Sequence, residues 1–218
     1  MKNRDIHKVV AILKEKITSW KNPAVKEISE VTRDPFRVLI SCLLSSRTKD
    51  TTTEEASKKL FSLASSPQGL AQLAVAEIEK AIYPVGFYRV KARAIKESCH
   101  TVVEKYQGKV PQSLEELLKL KGVGRKTANL VISLGFNKPG ICVDTHVHRI
   151  SNRLGYVKTN SPAQTEQALR TKLPKDYWII FNSLLVPMGQ NICTPISPKC
   201  SICPIERYCD QAGVIKYR

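Results

Sequence analysis

A lysine and an aspartate, Lys126 and Asp144, are the residues whose types and spacing could do chemistry. A lysine amine can attack an electron-poor carbon, and a carboxylate can stabilise the positive charge that develops or move a proton. Lys126 follows a Gly-x-Gly turn at the start of a predicted helix, and Asp144 stands eighteen residues later at the head of another. The pair predicts an active site with an amine nucleophile.

Lys126 on its own has three interpretations: a solvated surface charge, a phosphate contact, or the nucleophile. An ordinary lysine, with a pKa of about 10.4, is neutral in only about one molecule in a thousand near neutral pH. A nucleophilic lysine therefore needs burial, neighbouring positive charge or a helix N-terminus to disfavour its ammonium form. Lys126 has the predicted helix start and Arg125 beside it.

Asp144 is, in the simplest interpretation, the N-cap of a helix over 145–154. Its position also permits a catalytic role. A helix over 126–136 is about 16 Å long, and residues 137–144 can span about 26 Å when extended. Asp144 can therefore fold back beside Lys126, where its carboxylate could stabilise a developing sugar cation.

The turn before Lys126 predicts a phosphate-binding hairpin between two helices. We expect positive φ and close backbone approach to a ligand at both Gly122 and Gly124. The candidate binding residues are Gly122, Val123, Gly124 and Arg125, because amide groups at a helix start can hold a phosphate. A Gly-x-Gly turn alone is weak evidence, but two amphipathic helices flank this one.

Four cysteines near the end of the chain predict a metal centre. They follow the pattern C-x6-C-x2-C-x5-C and are Cys193, Cys200, Cys203 and Cys209. Four thiolates at this spacing could bind either a zinc ion or a [4Fe–4S] cluster. The wide gaps between the cysteines favour the bulkier cluster over zinc. The other three cysteines, Cys42, Cys99 and Cys142, lie in apolar contexts and are expected to be buried.

The composition favours a polyanionic partner. The 218 residues carry a formal charge of +16, from 35 Lys+Arg against 19 Asp+Glu. No apolar run approaches the roughly 18 residues that span a bilayer, and no signal-peptide core follows the first residues. Nucleic acid in an intracellular compartment is the expected partner, and a generally basic proteome is the alternative explanation of the charge.

The elements that must position these residues are predicted to be helices, so the fold class is all-α. Apolar residues recur at helical spacing from Ile6 to Trp20, and Asp34-Pro35 predicts a capped helix start. Further helices are predicted over 50–63, with Asp50 as its cap, and over 88–106 and 127–134. One more is predicted to start at Ser161-Pro162, and a last long one to run from Asp176 to about residue 189. Ser113 and Glu116 have the form of a capping box. We find no alternating strand pattern.

Three segments together resemble the endonuclease III family. Members of this family are bifunctional DNA glycosylases and AP lyases of the helix-hairpin-helix superfamily. They are the hairpin LKGVGRKTAN, the segment VDTHVHRISNRLG and the cysteine pattern. The segment IYPVGFY is also similar to the family. The resemblance runs from about residue 30 to 213.

The resemblance implies two helical lobes that flank a DNA-binding groove. A six-helix barrel domain with the hairpin would cover 28–138, and a discontinuous [4Fe–4S] cluster domain would cover 1–27 and 139–218. Lys126 falls on the family's Schiff-base lysine, Asp144 on its catalytic aspartate, and the four cysteines on its cluster ligands. The implied partner is double-stranded DNA that contains damaged bases or abasic sites.

Further expectations come with the resemblance. The protein would act as a monomer in the cytoplasm or nucleoid of a prokaryote, without a membrane. His146 is expected to bind DNA through a phosphate or to have a structural role, and not to be catalytic. The hairpin could also hold a monovalent cation on the carbonyls of Leu118, Leu120 and Val123.

Arg47 departs from the family's pattern, which usually has glutamine at this position. The side chain there is expected to fill the gap that a flipped nucleotide leaves in the duplex. Arginine can stack on or pair with an orphaned base, most readily guanine, or bind phosphate. The departure bears on the preferred lesion or opposite base and leaves the chemistry unchanged.

Three other functions compete with this hypothesis. An adenine-mismatch glycosylase shares the hairpin, aspartate and cluster, but usually lacks the lysine and has an added C-terminal domain. In a non-catalytic DNA-binding scaffold, Lys126 would contact phosphate and Asp144 would only cap its helix. An electron carrier is disfavoured by the charge and the hairpin.

Overall fold

The structure is a computed structural model that describes residues 1–16, 20 and 23–218. Within these residues it consists of helices and connecting loops without a β-strand, which confirms the all-α prediction. None of the described helices is both long and apolar enough to cross a membrane. The chain forms two compact units, Ala24–Lys138 and a second that combines Met1–Pro23 with Pro139–Arg218.

The continuous unit contains the hairpin and Lys126. Its helices are α2 (Ala24–Thr32), α3 (Pro35–Ser45), α4 (Asp50–Leu63), α5 (Pro67–Gln72), α6 (Val75–Ile82), α7 (Tyr88–Tyr106), α8 (Leu114–Leu117) and α9 (Arg125–Leu130). A π-helical turn, Val131–Gly135, extends α9.

Helix α3 lies at the centre of this unit. It begins as predicted, because the Asp34 carboxylate accepts a hydrogen bond from the Phe36 amide at 2.8 Å and Pro35 occupies the first helical position. Apolar side chains surround it on every face, and Val38, Leu39 and Ile40 are fully buried. Packing against α2, α4, α7 and α9 makes α3 the support on which the hairpin rests.

The discontinuous unit contains Asp144 and the four cysteines. Its helices are α1 (Ile6–Lys16), α10 (Thr145–Arg153), α11 (Pro162–Lys172) and α12 (Trp178–Asn191). Their apolar faces form one core that includes Leu13, Ile150, Tyr156 and Phe181. After α12 only short 3-10 turns follow, Cys200–Ile202 and Glu206–Tyr208.

Several predicted helix boundaries differ from the structure. The apolar pattern from Ile6 onward becomes α1, while Ile17 lies outside the described residues. Asp50 is the first residue of α4 and does not cap it, because Lys49 occupies the N-cap position. The helix predicted over 127–134 begins two residues earlier and ends in the π-helical turn.

The capping box predicted at Ser113 is only half formed. The Ser113 hydroxyl accepts a hydrogen bond from the Glu116 amide at 3.2 Å. The Glu116 carboxylate instead accepts from Lys119 Nζ at 2.6 Å and from the Tyr106 hydroxyl. These partners draw the carboxylate away from the N-cap backbone. Helix α8 is a single short turn.

Candidate functional site

The two glycines of the hairpin have different reasons to be glycine. Gly122 has φ of 77°, and a Cβ there would lie 3.2 Å from Ala94 Cβ and 3.4 Å from Leu43 Cδ2. Gly124 has φ of −97°, and no atom lies within 4 Å of its Cβ position. The prediction of positive φ is confirmed at Gly122 and wrong at Gly124, where the backbone is ordinary and its surface is open.

The turn of the hairpin is closed by a hydrogen bond within its own backbone and by a second one from α7. The Val123 amide donates to the Leu120 carbonyl at 3.2 Å, and the Ser98 hydroxyl donates to the Lys121 carbonyl at 2.8 Å. The Val123 side chain is buried. The backbone N–H of Val123 is therefore already hydrogen-bonded inside the turn, and a phosphate would meet the backbone on the open side at Gly124.

Lys126 is the second residue of α9 and is exposed. Its helix is fixed beneath it by Ala128 and Asn129, both fully buried. Burial raises the pKa of the Cys42 thiol in α3 to about 12, while the positive charge of Lys126 acts in the opposite direction. Cys42 is buried, as its apolar context predicted.

Arg47 lies in the turn after α3, in the same unit as the hairpin. Its backbone is left-handed, with φ of 53°, and its guanidinium carbon is 5.5 Å from the centre of the Phe87 ring. Both side chains are exposed. A cavity of about 360 Å³ is lined by Arg47 and Phe87 and also by Gly122. The structure therefore brings two of the predicted binding positions, Arg47 and Gly122, to one cavity.

Asp144 caps α10 as predicted. Its Oδ1 atom accepts hydrogen bonds from the amides of His146 and Val147, both at 2.9 Å. No hydrogen bond from the described residues reaches its Oδ2 atom. The side chain is half-buried. The cap fixes the carboxylate in one orientation and leaves one oxygen for another partner.

His146 packs closely against α12. Its Nδ1 atom lies 3.1 Å from Arg149 Nη2. A Cβ at Gly189 would stand 2.3 Å from the same ring nitrogen, so glycine is required there. The ring is half-buried, and its predicted contact with phosphate stays a prediction.

The four cysteines of the tail line one cavity. All four are free thiols and half-buried. No group of three or more histidine, cysteine or carboxylate side chains among the described residues is arranged to hold one metal ion. A cavity shared by four thiols is the arrangement that a cluster with four thiolate ligands requires.

Two polar groups lie against the cysteine sulfurs. Arg153 Nη1 donates to Cys193 Sγ at 3.4 Å, and the Gln211 amide donates to Cys209 Sγ at 3.4 Å. Burial raises the pKa of Cys203 to about 11. A bound cationic centre would offset that burial, because coordination deprotonates a thiol. The donor set therefore fits the iron–sulfur cluster that the spacing favours.

Comparison with known proteins identifies the family. Residues 40–175 match the HhH-GPD superfamily of base excision DNA repair proteins, and residues 193–209 match the iron–sulfur binding domain of endonuclease III. Endonuclease III of Thermotoga maritima is 54% identical over 177 residues, which cover 81% of this chain and 83% of that protein. The chain belongs to the endonuclease III family.

Other members of the endonuclease III family differ in length. Endonuclease III of Bacillus subtilis is 36% identical, over 87% of this chain and 90% of its own. Endonuclease III homolog 1 of Arabidopsis thaliana is 44% identical over 81% of this chain, but the match spans only 49% of the plant protein.

Solved structures agree with the family. A trapped covalent intermediate of endonuclease III with DNA has a TM-score of 0.85 and 34% identity, with 97% of each chain covered. A thermostable thymine-DNA glycosylase has a TM-score of 0.82 and 28% identity, and 96% of each chain is covered.

Membership of the endonuclease III family confirms the predicted enzyme class. The family consists of base-excision-repair DNA glycosylases with AP lyase activity, so DNA is the partner that the charge of +16 anticipated. The matched iron–sulfur domain confirms a [4Fe–4S] cluster as the cofactor, as the cysteine spacing favoured.

Two arginines of α10 escaped the sequence analysis. Arg149 donates to the Cys193 carbonyl through Nε at 3.0 Å and Nη2 at 2.8 Å. Arg153 donates to the carbonyls of Thr194 and Pro195, each at 2.7 Å. Both lie in the segment VDTHVHRISNRLG that carried the resemblance. The helix that Asp144 caps therefore also fastens the first cysteine of the cluster loop.

Proposed function

We propose that this protein removes oxidised pyrimidines from double-stranded DNA and nicks the strand through a Schiff base on Lys126. The observation that carries the proposal is the placement of Lys126, which is exposed on α9 directly behind an open Gly124 backbone. The similar structure of a trapped covalent endonuclease III–DNA intermediate supports an amine nucleophile.

The reaction begins when the damaged nucleotide leaves the duplex stack. The neutral Lys126 amine attacks C1′ of the sugar, and the bond from C1′ to the base breaks with its electron pair on the base. The base takes up a proton. The C1′–O4′ bond of the sugar ring then breaks as the C=N bond of the Schiff base forms, and the proton that the nitrogen loses is taken up by O4′. β-Elimination follows: a base removes a proton from C2′, the C2′–C3′ double bond forms, and the C3′–O bond breaks with its electron pair on the departing phosphate oxygen.

We propose Asp144 as the second catalytic residue. Positive charge develops on the sugar as the base leaves, and a carboxylate stabilises such a charge electrostatically. The amide hydrogen bonds to Oδ1 hold the carboxylate still, and Oδ2 is the atom that would face the sugar or carry a proton.

DNA binding is assigned to the hairpin and to Arg47. Gly122, Val123, Gly124 and Arg125 would form the phosphate-binding hairpin, in which the Val123 amide closes the turn and the open side at Gly124 meets the phosphate, with His146 as a further phosphate contact. Arg47 would fill the gap left by the flipped nucleotide. The carbonyls of Leu118, Leu120 and Val123 would hold the monovalent cation, with the Leu120 oxygen already accepting the Val123 amide.

The cluster is assigned a structural role. Cys193, Cys200, Cys203 and Cys209 would bind it and thereby cross-link the loop that follows α12 to the end of that helix. The cluster domain would correspond to 1–27 and 139–218, and the barrel domain to 28–138. We propose that the protein acts as a monomer.

Borohydride trapping tests the proposal. Duplex DNA with an oxidised thymine is incubated with the holoprotein and borohydride, which reduces a Schiff base to a stable adduct. We expect wild type and Lys119→Ala to give the adduct and Lys126→Ala to give none. Lys119 is a matched control, since it is exposed and pairs with Glu116 on the other side of the hairpin. Wild-type protein that binds the duplex without an adduct would refute the Schiff base on Lys126.

A further inference from the structure

Lys91, near the start of α7, donates three hydrogen bonds to the turn that contains Arg47. Its ammonium donates to the Leu44 carbonyl at 2.7 Å, the Ser46 carbonyl at 2.6 Å and the Thr48 hydroxyl at 3.1 Å. A lysine has three donors, so none remains for another ligand. The three acceptors bracket Arg47 on both sides along the chain.

A second contact joins the same turn to the residues before α7. The Gly86 amide donates to the Thr48 hydroxyl at 3.2 Å. A Cβ at Gly86 would lie 2.6 Å from the Arg47 carbonyl oxygen, so only glycine permits this approach. The backbone of Arg47 is therefore held from two directions, by Lys91 and by Gly86.

The conformation of Arg47 needs such support. Its φ of 53° lies in the left-handed region, which residues other than glycine rarely adopt unless their surroundings impose it. Phe87, with φ of 59°, is also left-handed, and its ring lies beside the guanidinium. Without the clamp, Arg47 would sample right-handed conformations that aim its side chain elsewhere.

Lys91 holds its charge at a cost. Burial lowers its pKa to about 8 from the ordinary lysine value. Its three hydrogen bonds to carbonyl and hydroxyl oxygens offset part of that burial and tie the ammonium group to the turn.

We propose that Lys91 is a positioning residue for Arg47: it fixes the turn after α3 so that the guanidinium is presented beside Phe87 in the geometry that enters the DNA. The inference rests on the proposed function of Arg47 as the residue that occupies the gap. The opposite-base preference would then depend on Lys91, although its ammonium group has no donor left for DNA.

A double-mutant cycle tests the proposal. The holoprotein carries Lys91→Met, Arg47→Ala or both, and binds duplexes with a reduced abasic-site analogue opposite each of the four bases. Lys91→Met should weaken binding about tenfold and flatten the opposite-base preference, as expected for coupled residues. In the Arg47→Ala background the same change should cost less than about twofold. Equal losses in both backgrounds would overturn the proposal.

Lys96→Met is the matched control. Lys96 lies on the same helix and its ammonium donates to a helix-end carbonyl, that of Leu73, at 2.5 Å. Binding and base preference should stay within twofold of wild type in this variant. A flattened preference in Lys96→Met would show a general effect of loosening α7 and would contradict the proposal.

Thr48→Val provides a second route if Lys91→Met does not fold. The change removes the hydroxyl that joins Lys91 and Gly86, and the same cycle with Arg47→Ala applies to it. Borohydride trapping by wild type separates the two proposals. Wild type that traps while the cycle is additive refutes only the positioning role, whereas wild type that never traps refutes the proposed function.

Discussion

Replacing Asp144 by alanine and by asparagine separates its two roles. The carboxylate accepts two amide hydrogen bonds at the start of α10, so alanine leaves two amides of the first turn without an acceptor. An N-cap loss of about 1 kcal/mol and a lost charge–dipole interaction of about 0.3–1 kcal/mol together predict a destabilisation of about 1–2 kcal/mol. Asparagine caps as well as aspartate and loses only the charge term.

The two variants should therefore differ in stability and agree in activity. The midpoint temperature of thermal unfolding should fall by about 2–4 °C for each kcal/mol of stability lost. Asp144→Ala should therefore unfold at a lower temperature than Asp144→Asn. Both lack the carboxylate and should excise an oxidised thymine about 100- to 10,000-fold more slowly than wild type in single-turnover assays. An Asp144→Asn variant that excises at nearly the wild-type rate would show that Asp144 is only an N-cap.

Three further predictions concern the hairpin, the cluster and Arg47. Gly122→Ala should destabilise the fold by at least about 1 kcal/mol, whereas Gly124→Ala should leave thermal stability unchanged and weaken DNA binding; equal stability losses would contradict the geometry. Purified holoprotein should contain iron and acid-labile sulfide in equal amounts, and Cys203→Ser should reduce both; a zinc-loaded wild type would refute the cluster. Arg47→Gln should alter the opposite-base preference in excision assays while borohydride trapping persists, and an unchanged preference would refute the role given to Arg47.

Local signals predicted most of the helices. Asp34 and Pro35 fix the start of α3 through short-range geometry. Helix breakers on either side, Gly86 and Gly108, indicated the bounds of α7, Tyr88–Tyr106, because such signals lie within one segment. Gly122 was predicted for the same reason. Gly124 was misjudged because a Gly-x-Gly pattern does not say which glycine takes the positive φ and which one is merely uncovered.

Long-range contacts escaped prediction. Lys91 is one basic residue among several along α7, and its three acceptors lie more than forty residues earlier in the chain. Arg149 and Arg153 are likewise ordinary helix residues until the fold brings the Cys193 loop to them. A sequence shows which residues could donate, but only the packing of helices shows which acceptor each donor reaches.

The central claim is that the Lys126 amine forms the covalent bond to DNA. Its most direct measurement is mass spectrometry of the borohydride-reduced adduct after proteolysis and nuclease digestion. The reduced sugar fragment should be found on Nζ of Lys126. A fragment on another amine, or on no residue of a protein that still excises the base, would contradict the account.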